Sequence, residues 1–179
     1  MGTLNLKDKL NFNESDLTPP ISVVEKIASQ IEEQTEGIIK GKIKAYTGRI
    51  TSYYRNNPTV IPLANLGVGT KVDIQDSLGK QGEETKKYEF YLSTPVFEKY
   101  RYRICFLEHG GANYPVKVVI EESIADEINK NSDNVGYIYK CENSTELDIL
   151  ITAIINSEKV IDVMQELIRI YQIHKDDQT

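Results

Sequence analysis

The chain has 179 residues, 40% apolar and 27% charged, with a formal net charge of −6. That length supports one domain with a real core and leaves little room for two. The acidic balance argues against a general duplex-binding protein. No apolar run approaches the roughly 18 residues of a membrane-spanning helix, so no membrane partner is expected.

Residues 1–17 are polar and without a clear period, which reads as a flexible leader. Thr18-Pro19-Pro20 is a helix-start signal: a hydroxyl placed to cap, then prolines whose missing N–H costs nothing in a first turn. Ile21, Val24, Ile27, Ala28 and Ile31 recur at helical spacing, so 20–35 is an amphipathic helix ended by Gly37. Its last turns hold Glu32, Glu33 and Glu36, where the helix dipole disfavours acids. The basic segment that follows offers them partners.

From Ile38 the period falls to two. Ile39, Gly41, Ile43 and Ala45 point one way and Lys40, Lys42 and Lys44 the other, giving a strand with one wet, basic face. Gly48 is expected to bend it, with Arg49 to Tyr54 carrying on. Residues 38–55 hold Lys40, Lys42, Lys44, Arg49 and Arg55 and no acid, whereas residues 121–179 hold thirteen acids and five bases. A short edge strand is expected at 59–63. The Gly-rich stretch 65–84 is expected as a long loop with one short strand at 71–74.

Tyr88, Phe90 and Leu92 share one face of the next strand, opposite Lys87, Glu89 and Tyr91. Across a turn near Thr94-Pro95, Tyr100, Tyr102, Ile104 and Phe106 share a face, opposed by Lys99, Arg101 and Arg103. Glu108 to Tyr114 forms a second turn, and 115–120 returns as a strand. A short helix at 121–130 and a strand at 135–141 follow. Asn143 with Glu146 three residues on is a capping-box variant. Ser157 caps a further helix, so 144–173 splits in two at Asn156-Ser157, and 174–179 is a frayed tail. The expected fold is one α+β domain over 18–173. It has an antiparallel sheet of five or six strands, with the N-terminal and C-terminal helices on one face.

Three sites compete. A carboxylate, an imidazole and an amide at Glu108, His109 and Asn113 sit among small residues that would let a substrate approach the backbone. The plain alternative is a turn using its glycines for positive φ. A single-stranded nucleic acid could follow the basic stripe of Lys40, Lys42, Lys44, Arg49, Tyr54 and Arg55. Stacking bases needs aromatics and cations on one exposed face, and strict alternation separates Tyr100 and Tyr102 from Arg101 and Arg103. The same cations with Tyr53, Tyr54, Arg101 and Arg103 also suit a protein contact, where tyrosine and arginine are enriched.

No His/Cys pair has zinc spacing, Asp73 and Asp76 lack an EF-hand pattern, and Gly67–Lys71 and Gly79-Lys80 fail the phosphate-loop spacing. No metal or cofactor is expected. Cys105 and Cys141 have no C-x-x-C spacing and no secretion signal ahead of them, which fits reduced thiols in the cytoplasm. The expectation is therefore a non-catalytic protein-interaction module. Its partner is another protein or, as a homodimer, itself. A small enzyme at 108–114 and a single-stranded nucleic-acid binder are the alternatives.

Overall fold

The computed structural model describes residues 17–48, 50, 85–129 and 137–175. Residues 1–16 of the expected leader, the strand at 59–63 and the loop at 65–84 lie outside them, as do Arg49, Tyr53, Tyr54 and Arg55. The described elements are α1 (Pro20–Gln34), β1 (Lys40–Ala45), β2 (Lys86–Thr94), β3 (Phe97–His109), β4 (Val116–Ile120), α2 (Glu122–Asn129), β5 (Ile138–Cys141), α3 (Ser144–Ile155) and α4 (Glu158–Lys175). All strands are antiparallel, in the order β1-β2-β3-β4-β5. No described helix is long and apolar enough to cross a membrane.

Helix α1 starts at the prolines, but the capping expectation was one residue off. Pro19 is the cap and Pro20 the first helical residue, so no side chain caps the helix and the Thr18 hydroxyl comes too early. The C-terminus closes with the Gly37 N–H donating to the Glu32 carbonyl at 2.8 Å, with Gly37 at φ 78°. This glycine needs the left-handed conformation that the closing turn imposes. The acids near that end find a cation, since Lys40 lies 3.5 Å from Glu32.

The C-terminal helices begin as their residues dictate. The Asn143 side chain accepts from the Glu146 N–H at 2.9 Å, while Glu146 accepts from the Glu142 N–H at 2.8 Å. Ser157 separates α3 from α4; its hydroxyl donates to the Ile154 carbonyl at 2.7 Å. Glu127 of α2 then accepts from the Glu158 N–H at 2.8 and 2.9 Å, placing a carboxylate on the positive end of α4. Helix α4 runs on through Lys175, with the His174 ring 5.0 Å from that of Phe97.

The core lies between the helices and the inner face of the sheet. Val24, Ile27 and Ala28 of α1, Leu147, Ile151 and Ile154 of α3, and Val160 and Leu167 of α4 pack with Phe90, Leu92, Leu107, Val116 and Val118. Gly41 lets α1 approach: a Cβ there would stand 2.8 Å from that of Ala28. Three tyrosines at the sheet margin hold α2 in place. Tyr102 donates to Glu121 at 2.6 Å, Tyr137 to Glu122 at 2.7 Å, and Tyr139 to Asn129 at 3.0 Å.

One face assignment is overturned. Phe90 pairs with Cys105 but Tyr91 pairs with Arg103, so Ile104 is an extra residue opposite no partner. Such a bulge turns two consecutive side chains to the same side. Ile104 and Cys105 are both buried in the core. Beyond them the parity is inverted: Leu107 and His109 face inward, and Phe106 faces outward with Glu89 and Val119 as cross-strand neighbours. Tyr100 and Tyr102 lie opposite the arginines, as expected. Tyr102 packs against the core, whereas Tyr100, nearer the hairpin tip, is 39% exposed.

Candidate functional site: the outer face of the sheet

Residues paired across an antiparallel sheet share a face, so the register specifies the outer surface. One row runs Lys44, Glu89, Phe106, Val119, Ile138, and a second runs Lys87, Glu108, Lys117, Lys140. Lys42, Tyr91 and Arg103 form a third, and Lys40, Ser93 and Arg101 a fourth. Cations outnumber acids heavily in this set. Most exposed acids lie instead on the helices, among them Glu25, Glu33, Glu122, Asp126, Asp162 and Glu166.

The arginines are braced. Arg103 donates to Glu89 from Nε at 3.0 Å and from Nη2 at 2.8 Å. Its guanidinium carbon lies 4.6 Å from the centre of the Phe106 ring and 5.6 Å from that of Tyr46. Tyr46 and Phe106 stand 4.7 Å apart. Arg101 sits 5.1 Å over the Tyr91 ring, which Lys44 also approaches at 5.8 Å. Tyr91 itself is only 2% exposed. A planar cation held against ring faces and a carboxylate keeps its charge and is already ordered.

Lys40, Lys42, Lys44, Arg101 and Arg103 are therefore brought together on one surface. The sequence alternation already set Glu89 and Tyr91 on the face opposite Phe90, but it marked neither Tyr46 nor Phe106 as a member of this surface. The signal for Phe106 was the unbroken apolar run Ile104-Cys105-Phe106-Leu107, in which alternation cannot hold.

The 108–114 residues diverge instead. Glu108 is on the outer face, between Lys87 and Lys117, while His109 is on the inner face. His109 is 5% exposed and stacked on Tyr88, ring centres 5.8 Å apart. Its Nδ1 lies 2.7 Å from the Gly110 carbonyl, which requires a proton on Nδ1. Nε2 is then a buried bare acceptor without a hydrogen-bond partner. Burial, with Lys86 nearby, holds this imidazole below its ordinary pKa despite the Gly110 contact. Asn113, not a glycine, supplies the left-handed residue of the turn, at φ 62°, since its short amide tolerates that region.

Both cysteines are buried and unpaired, and burial raises each thiol far above its usual pKa, Cys141 to about 12. Thiols so protonated are poor nucleophiles. No cluster of three or more metal-ligating side chains occurs among the described residues. Compared with known proteins, the chain matches no family model, no curated protein and no solved structure.

Proposed function

We propose that this chain is a non-catalytic protein-interaction module, a small accessory or regulatory subunit of the cytoplasm. It grips an acidic surface of another protein through the outer face of its sheet. The observation that carries the reading is Arg101 and Arg103 fixed over Tyr91, Phe106 and Tyr46. Arginines on aromatic platforms are the residue types that dominate contact energies, and their prior ordering lowers the entropy lost on binding. The reduced, buried cysteines suit the cytoplasm. A second copy of the chain, whose helices carry acids, is the other partner the charge pattern suits.

A second reading has one observation in its favour: aromatics and cations share the outer face, as a single-stranded nucleic-acid binder requires. The rings, however, are covered. Tyr91 is buried and Phe106 lies beneath Arg103, so neither offers a bare face to a base. A protein partner needs only the guanidinium groups above them.

The test is affinity capture from the native host with wild type and with Arg101→Glu/Arg103→Glu. The wild type should retain a protein in fixed ratio that the folded double variant loses. Equal retention refutes the surface. Tight binding of a labelled thymidine oligonucleotide that weakens steeply with salt would select the nucleic-acid reading instead.

A further inference from the structure

The outer strand β1 has a backbone edge of its own. The Tyr46 N–H donates to the Lys87 carbonyl at 2.8 Å, directly across the register that pairs Ala45 with Tyr88. Backbone groups alternate along a strand, so those of Lys40, Lys42 and Lys44 also turn towards β2. The N–H and carbonyl groups of Gly41, Ile43 and Ala45 turn away from it. Among the described residues β1 pairs with β2 alone.

Beside this edge runs an open groove between α1 and β1, whose lining includes Glu25, Glu32, Gly41, Ile43, Lys42 and Lys44. Its floor is small and partly apolar because Gly41 has no side chain and meets Ala28. Lys40, Lys42 and Lys44 alternate with these positions along the strand, and Lys42 and Lys44 border the same groove. Lys40 shares Glu32, but neither Lys42 nor Lys44 has a carboxylate partner among the described residues. Lysines on an edge strand repel a second copy of the same edge, which would set lysine against lysine. They select an incoming strand of opposite charge.

We propose that β1 takes up an extended acidic segment of the partner protein as a sixth strand of the sheet. The segment alternates. Acids on its outer side lie beside Lys42 and Lys44, and small or apolar residues on its inner side enter the α1–β1 groove. Backbone bonds to Gly41, Ile43 and Ala45 supply affinity, and the lysines supply selectivity. This rests on the reading of the protein as a protein-binding module and names the form its partner takes.

The probe is a labelled synthetic peptide alternating glutamate with valine, followed by fluorescence anisotropy, with a lysine–valine peptide as control. Wild type should bind the acidic peptide and not the basic one. Ala45→Pro removes an outward N–H and leaves the bonds to β2 intact, so it should weaken binding by about tenfold, the scale of one lost backbone bond with its local distortion. Lys42→Glu/Lys44→Glu should reverse the preference and bind the lysine peptide, a gain that no misfolded variant can mimic. Failure of wild type to bind the acidic peptide overturns the proposal, as does a folded Ala45→Pro variant that binds it unchanged. If Ala45→Pro leaves capture of the host partner intact while Arg101→Glu/Arg103→Glu abolishes it, the edge is refuted and the face reading stands.

Discussion

On its inner face the sheet presents Phe90, Leu92, Leu107 and Val118 to α1, α3 and α4, and these side chains are buried. On its outer face the same strands present Lys44, Glu89, Arg101, Arg103 and Phe106, set around the buried Tyr91, Ser93 and Val119. The inner face is held by excluded water, the outer by cations laid on rings. A substitution inside should therefore cost stability, and one at an exposed outer cation should cost binding while leaving the fold in place.

The sharpest contrast pairs two phenylalanines on adjacent strands. Phe90→Ala empties a fully buried site and should cost about 3–5 kcal/mol in urea denaturation, whereas Phe106→Ala, half-buried and outward, should cost about 1 kcal/mol. Equal losses would mean that the outer face is packed like the core. Gly41→Ala comes next, because its new methyl meets Ala28 on α1 and the helix must move, at about 1–3 kcal/mol.

The two faces also differ in their response to pH. His109 belongs to the inner face and is held neutral there, with its pKa below the 6.5 of an unfolded chain. Between those two values the unfolded state takes up more proton, so stability rises with pH. The contribution is present above pH 6.5 and is lost as pH falls through the folded-state value. The urea midpoint should drop on acidification, and His109→Leu should flatten that dependence. The smallest effect belongs outside: Arg103→Gln breaks a half-exposed pair with Glu89 and should cost less than about 1 kcal/mol, yet remove most partner binding.

The helices were legible because their signals are local. Asn143 with Glu146, and the Asn156-Ser157 break, are settled by neighbours in sequence. The strands were legible as alternation up to Arg103. The inverted parity of Phe106 was not, because a bulge is decided by pairing with β2, some fifteen residues away in the chain. The braced site inherits that difficulty, since Arg103 meets Phe106 only after the extra residue is inserted.

The central proposal is that the partner sits on the outer face. Site-specific photo-crosslinking in the native host reads this directly, with the photoreactive residue at Lys42 or Lys117 on the outer face, or at exposed Thr152 or Ile149 on α3. One crosslinked species is expected from the two sheet positions and none from the helix positions. Crosslinks from Thr152 and Ile149, with none from Lys42 and Lys117, would contradict it.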